Sequence, residues 1–285
     1  MERSEIYKLL REDFGLTPLR ECGRGPRIFG EDVRIGENVD FGEGVIIYNN
    51  VIIGNNVRIG NGVILNNVLV GNRCSIEDYS IIGYCTLTGG FSHKLSDHLG
   101  PGQTILGAET LIRTHCVIYQ GVKIGEHCWI NHMVLLREKT KIGDYTCIGT
   151  MCDSEGYNNI GSHCLIHSAV QIGARTTIED YVFVAPFTAF TNGNPMNYAR
   201  DFVSREEGPI IRFGTQIAAN VIVYPRVIVG YESLIGASAV VTKSVPSLGI
   251  VMGIPGRVVG RVPDDLRMPQ KIRSQYYNGK LDPDE

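Results

Sequence analysis

From Phe29 onward an aliphatic or aromatic residue returns at every sixth position: Phe29, Ile35, Phe41, Ile47, Ile53, Ile59 and Leu65. The same step carries Leu106 through Ile112, Ile118, Ile124, Ile130, Leu136, Ile142 and Ile148, then Ile160 through Ile166, Ile172, Ile178 and Val184 to Phe190, and again Ile211 to Val241. Between Leu106 and Phe190 only Ser154 breaks the series. The hexads IGEHCW, IGDYTC and IGARTT share one order: an aliphatic residue, a small one, two polar ones, a small inward one and a variable one. Strand alternation sends the first and fifth positions inward and the sixth outward. Each hexad is thus a short strand and a tight turn, and three close an 18-residue triangular coil. The pattern predicts an all-β chain, a parallel β-helix of about ten triangular coils spanning residues 29–262.

Two stretches leave the register. Residues 88–105 and 192–210 are polar and rich in Gly, Pro and Asn, and they are expected to be extruded as loops, where binding residues concentrate. Residues 1–28 are expected to carry a short helical cap and 263–285 a C-terminal helix and tail, since terminal rungs need covering. Residues 18 apart stack, so outward positions sort by face. Trp129, Cys147, Leu165 and Phe183 make one face apolar, while Lys123, Lys141, Asn159 and Thr177 make another polar. The apolar face asks for cover, either another part of the chain or, as preferred here, other copies of it in a homotrimer packed along the prism faces.

Glycine accounts for 34 of the 285 residues, well above the usual ~7%. Many of these glycines directly follow the periodic residue, and corners that only Gly adopts cheaply are the expected reason. A net charge of -3 offers no basic field for nucleic acid or an anionic membrane. The opening MERSEIYKLLREDFGL is charged and helical rather than a secretory signal. A cytoplasmic protein is expected. Cys74, Cys116, Cys128, Cys152 and Cys164 sit at the small inward position, as core fillers rather than disulfides or metal ligands.

The stretch IAANVIVYPRVIVGYESLIGASAVVTKSVPSLGIVMGIPGRVVGRV, residues 217–262, closely resembles the signature of the left-handed β-helix acyltransferases, the hexapeptide-repeat superfamily. The middle segment, IRTHCVIYQGVKIGEHCWINHMVLLREKTKIGDYTCIGT with FTNGNP further on, is similar to the branch that acetylates amino groups of nucleotide-linked deoxyaminosugars. The resemblance implies a left-handed coil, acetyl-CoA as the co-substrate, a dTDP- or UDP-linked aminosugar as the acceptor, and a trimer with active sites between subunits.

His132 is the candidate catalytic residue, on the corner after the strand that bears Trp129. Imidazole changes charge near neutral pH, so there it could take the proton of an attacking amine; the alternative is a corner histidine bonded to the next coil. Asn131, Glu138 and Asn192 are candidate substrate contacts. Corner amides often satisfy backbone groups instead, and Glu138 could equally be an exposed pair with Arg137. Asn192 gains weight from the FTN motif. Lys243 and Arg257 are placed by the resemblance where the phosphate of CoA would need cations, and either could be a solvated surface charge.

Metal chemistry is tested by histidine spacing. His127 and His163 are 36 apart, which puts two coils, or roughly 9–10 Å, between them. The γ-class carbonic anhydrases add a third histidine five positions on, but that position here is Ser168, with His167 one place out of register. No metal is expected. The alternatives kept open are a sugar or small-molecule O-acetyltransferase, the anhydrase-like metalloenzyme and a non-catalytic β-helix scaffold.

Overall fold

The computed structural model describes residues 25–84, 102–193 and 207–277, in two compact units that meet in sequence between Thr140 and Lys141. The helix expected near the N-terminus and most of both expected loops lie outside the described residues. In each unit the fold is a parallel β-solenoid whose coils close over three short strands. In the first unit Ile46–Ile47 pairs with Ile64–Leu65, Val51–Ile53 with Val68–Val70, and Arg58–Ile59 with Ser75–Ile76, each strand bonding to the third one after it. Arg27–Ile28 is already such a strand, paired with Ile46–Ile47, and therefore belongs to the solenoid rather than to a cap. Thr104–Leu106 pairs in register with Val68–Val70, so the coil resumes within the last two residues of the expected 88–105 loop.

The second unit repeats the arrangement. Cys147–Ile148, Leu165–Ile166, Phe183–Val184, Gln216–Ile217 and Leu234–Ile235 stack in one parallel sheet, which ends in the antiparallel hairpin Gly249–Met252 with Arg257–Arg261. Ile210–Ile211 pairs with Thr177–Ile178, returning the chain to register at the last residue of the expected 192–210 loop. Inward aliphatics such as Ile118, Ile130, Ile166 and Ile172 have no exposed surface, and each contributes about 1.5–3 kcal/mol by burial. Outward residues Leu165 and Phe183 remain 42% and 36% exposed, and in the first unit Trp129 is 60% exposed.

The glycines correct the sequence expectation. Those after the periodic residue do not hold the left-handed corners; His127 and Tyr145, two positions after Gly125 and Gly143, take φ of 55° and 57°. Each such corner costs an ordinary residue about 1–2 kcal/mol. Glycine is required because the next coil lies against it. A Cβ on Gly107 would stand 2.4 Å from the backbone of Gly125, and one on Gly143 2.4 Å from Ser162 Oγ.

The small inward position also does more than fill space. Cys116 Sγ donates to the Asn131 carbonyl at 2.9 Å, Cys152 Sγ to His167 at 3.0 Å and Cys164 Sγ to Glu179 at 3.1 Å. Thr110 and Thr146 make the same bond to Gly125 and Gly161 at 2.9 and 2.8 Å. A short side chain with one γ donor satisfies a corner carbonyl of the coil above. Burial pushes the thiols of Cys116 and Cys152 up to about 11 and that of Cys164 to about 12, so they stay protonated and inert.

The lapse at Ser154 has a cause. Ser154 and Asn158 are both buried, and Asn158 Nδ2 donates to Ser154 Oγ at 2.9 Å and to the Ile172 carbonyl at 3.2 Å, while its Oδ1 accepts from the Thr176 N–H at 2.8 Å. A hydroxyl replaces the aliphatic residue because a buried amide on the same coil needs a partner.

The C-terminal helix Gln270–Tyr277 is latched onto the second unit by two carboxylates. Tyr276 OH donates to Glu179 Oε2 at 2.8 Å, and its ring stacks on Phe213 with centroids 3.8 Å apart. Tyr277 OH donates to Glu232 at 3.2 Å, and Arg267 and Arg273 stand 3.5 and 3.3 Å from the same carboxylate, whose side chain is 2% exposed. No helix among the described residues is long and apolar enough to cross a membrane.

Asn158→Ala is expected to destabilise the protein by about 1–3 kcal/mol in urea unfolding, because it strands the Thr176 N–H and the Ser154 hydroxyl. The latch predicts an alkaline effect. Burial and the bond to Glu179 raise the Tyr276 phenol well above its ordinary 10.0, so the folded state holds a proton that the unfolded chain releases above that pH. The contribution is complete below pH 10 and drains away as pH rises further. Proteolysis at the C-terminal helix should accelerate above pH 10, and Tyr276→Phe should remove much of that dependence while leaving the slope due to the buried thiols.

Candidate active site

His132 is half-buried on the corner that follows the strand Trp129–Ile130. The strand fixes Ile130 inward and Trp129 outward, and the left-handed turn at Met133, φ 55°, sends the next strand onto the adjacent face. The imidazole therefore projects from a backbone pinned on both sides. One coil earlier and 18 positions back in sequence stands Thr114, whose Oγ1 lies 2.8 Å from His132 Nδ1. The contact fixes the ring plane. When Nδ1–H donates to the hydroxyl, Nε2 keeps its lone pair and can accept a proton; when the hydroxyl donates, Nε2 carries the hydrogen. Thr114 was not among the candidates, although the 18-residue step that stacks outward positions leads directly from His132 to it.

The other candidates of the first unit fall into separate places. Asn131 is half-buried beside His132, and its backbone carbonyl takes the Cys116 thiol. Glu138 sits on the next corner and forms an ion pair with Arg137 at 3.0 Å, with both side chains more than two-thirds covered. The guanidinium also lies 5.9 Å from the Tyr119 ring centroid, and Tyr119 packs 5.0 Å from Tyr84. The described contacts join Glu138 to this aromatic and cationic corner.

In the second unit, Asn192 is half-buried where the chain leaves the strand Ala189–Phe190. Its Nδ2 donates to Glu155 Oε2 at 3.1 Å, and its backbone carbonyl accepts from the Glu207 N–H at 3.1 Å. Glu155 is a residue that sequence reading passed over. Its link to Asn192 spans 37 positions, one more than two 18-residue coils, so the regular step does not pair the two residues. Lys243 and Arg257, by contrast, are brought together. They line one cavity of about 230 Å³ with Ser244, Val251, Gly256 and Val258. Arg257 spends one donor on the Gly256 carbonyl at 3.0 Å, and both side chains are exposed to an incoming anion.

The other histidines among the described residues have individual partners. His127 Nδ1 lies 3.0 Å from Glu109, a carboxyl held below its usual range by the Arg73 guanidinium. His163 is stacked between Tyr145 and Tyr181 with centroids 5.0 and 4.6 Å away. His167 Nδ1 accepts the Ser168 N–H at 2.9 Å, and His115 packs 5.4 Å from Tyr79. Among the described residues no three His, Cys, Asp or Glu side chains are grouped to hold a metal ion.

No family model matches the chain. Among curated proteins it is similar to a provisionally named acetyltransferase of Staphylococcus aureus strain Mu50, 39% identical over 79 residues, which are 27% of this chain and 40% of that protein. A similarly named protein of Staphylococcus aureus strain COL is 38% identical over the same length. The chain therefore spans about two-fifths of the length of these curated relatives. Among solved structures it is similar to the UDP-N-acetylglucosamine acyltransferase of Bacteroides fragilis, at 20% identity and a TM-score of 0.47, over 89% of this chain and 80% of that one. A hexapeptide-repeat acetyltransferase of Vibrio cholerae solved with acetyl coenzyme A is 24% identical, with a TM-score of 0.38, over 43% of this chain and 71% of that one.

Proposed function

We propose that this chain is an acetyl-CoA-dependent N-acyltransferase that acetylates the amino group of a dTDP- or UDP-linked amino deoxysugar, acting as a cytoplasmic homotrimer. The observation that carries the reading is the His132 imidazole, held through Nδ1 by Thr114 at 2.8 Å on a corner beside an outward tryptophan. The match to proteins named acetyltransferases over 79 residues supports acyl transfer as the reaction class, and the segments 112–150 and 217–262 resemble enzymes of that kind. The exposed apolar positions Trp129, Leu165 and Phe183 favour burial against further copies of the chain.

In this reading the acceptor amine attacks the thioester carbonyl carbon. A C–N bond forms, the C–S bond breaks and CoA leaves as the thiolate. The proton shed by the nitrogen passes to His132 Nε2 and from there to the thiolate sulfur, while Nδ1–H donates to Thr114 Oγ1 throughout. The hydroxyl thereby selects the tautomer that can act as base. A corner backbone amide supplies the donor for the carbonyl oxygen as charge develops on it. Lys243 and Arg257, on one cavity wall, receive the phosphates of CoA.

The direct test is a thiol-release assay with acetyl-CoA across a panel of nucleotide-linked aminosugars. At least one amine should be acetylated, and His132→Ala should lower its turnover about 100-fold or more with the oligomeric state unchanged. Thr114→Val should reduce turnover by a smaller factor in the same assay. Unchanged turnover in His132→Ala removes the base role, and failure of every amine directs attention to hydroxyl acceptors. Lys243→Ala with Arg257→Ala is expected to weaken CoA binding about tenfold or more, read by calorimetry, without altering the melting temperature of the free protein.

A further inference from the structure

Glu155 occupies a corner of the second unit between the polar core residues Ser154 and Asn158. Its backbone N–H is tied to the next coil through the Ile172 carbonyl at 2.9 Å, so the side chain starts from a fixed point. The carboxylate accepts three hydrogen bonds: from Asn192 Nδ2 at 3.1 Å, from Gln171 Nε2 at 3.2 Å and from the Ala174 N–H at 3.3 Å. Asn192 is pressed close over the coil at Gly173, where a Cβ would meet the Phe190 carbonyl oxygen at 2.5 Å and Asn192 Cβ at 3.2 Å. The Glu207 N–H closes on the Asn192 carbonyl, joining the two described ends of the 194–206 segment. Backbone, glycine and carboxylate together leave the Asn192 side chain little freedom.

An ionised carboxylate accepts hydrogen bonds and donates none. Each amide facing Glu155 must turn its NH₂ toward it, which directs the carbonyl oxygens Asn192 Oδ1 and Gln171 Oε1 away from it. Two lone-pair-bearing oxygens flank one negative charge, an arrangement that suits a group carrying several N–H donors and positive charge. A hydroxyl satisfies it with one donor, and a group bearing only lone pairs meets repulsion. A glutamine at 155 could donate as readily as accept, and would release Asn192 to turn over.

We propose that Glu155 is a positioning residue that locks the Asn192 amide with Oδ1 outward, so that the site takes a primary amine or ammonium group at that point. This rests on the reading of the chain as an N-acyltransferase with Asn192 at the acceptor, and it deepens that reading by assigning amine preference to a residue that does not itself touch the reacting carbonyl. The Glu155–Ala174 bond gives the carboxylate a structural contact as well, so the test must separate positioning from folding.

Steady-state kinetics with the best aminosugar provide the separation. Glu155→Gln is expected to raise the acceptor KM about tenfold while leaving kcat and the acetyl-CoA KM unchanged, and the variant should still show the wild-type thermal shift with CoA. Asn192→Ala should raise the same KM, and Glu155→Gln added to it should cause no further loss, because a locked amide is no longer there to release. An unchanged KM in Glu155→Gln, or losses that add, overturns the proposal while leaving N-acyl transfer standing. If Glu155→Gln does not fold, Asn192→Asp sets two carboxylates against each other and should raise the acceptor KM in its place; an unchanged KM is the opposing result. If the wild-type protein acetylates no amine, the N-acyltransferase reading fails by itself. The lock is then read from the Asn192 side-chain NH₂ signal in asparagine-labelled protein, identified by its loss in Asn192→Ala. Slow solvent exchange that becomes fast in Glu155→Gln supports the lock, and equal exchange in both overturns it.

Discussion

Close stacking of one coil on the next is the constraint from which the remaining features follow. Backbone N–H groups reach carbonyls of the following coil at 2.7 to 3.1 Å in nearly every rung, as in Gly60 to Ile76 and Leu111 to Cys128. That spacing brings the backbone of one corner so near the next that a methyl group cannot fit at Gly107 or Gly143. Most residues that turn the corner then adopt left-handed conformations without being glycine, as His127 and Tyr145 do. Strain of about 1–2 kcal/mol at each such residue is accepted because the inward aliphatic at every rung, together with the ladder, outweighs it.

The same stacking dictates how polar atoms are buried. A coil presents carbonyls at its corners that no strand can reach, and the fifth position of the hexad answers them with a thiol or hydroxyl. Cysteine and threonine are interchangeable there because each offers one short donor, as Cys164 and Thr146 do on neighbouring coils. Where a larger amide enters the core, as Asn158 does, the periodic aliphatic gives way to Ser154 so that the amide is satisfied. A break in periodicity thus marks a compensated polar rung, and the strand there stays regular: Asp153–Ser154 pairs in register with Gln171–Ile172.

A rigid corner is well suited to hold a reactive side chain. His132 and Thr114 need no loop to find each other, since the coil repeat brings the corner positions together and the hydrogen bond sets the ring. Asn192 illustrates the complementary case, in which a side chain at the root of an excursion is steadied by a carboxylate two coils earlier. Chemistry that depends on orientation gains from both, because the cost of ordering these groups is met during folding rather than on binding.

The architecture was legible from the chain alone because period six with alternating orientation has one solution, a triangular coil with residues 18 apart in contact. The inward core, the two outward faces, the cysteines as core residues and the position of His132 at a corner all follow from that count. The role of the glycines did not, since φ preference and close approach favour the same residue and only coordinates separate them. Neither did the pairing of Glu155 with Asn192, the meeting of Lys243 and Arg257 at one cavity, or the latching of Tyr276 and Tyr277 to Glu179 and Glu232. The last two cross excursions or chain reversals, where spacing in sequence carries no metric, and the first is one position off the two-coil step, so distance in three dimensions alone decided them.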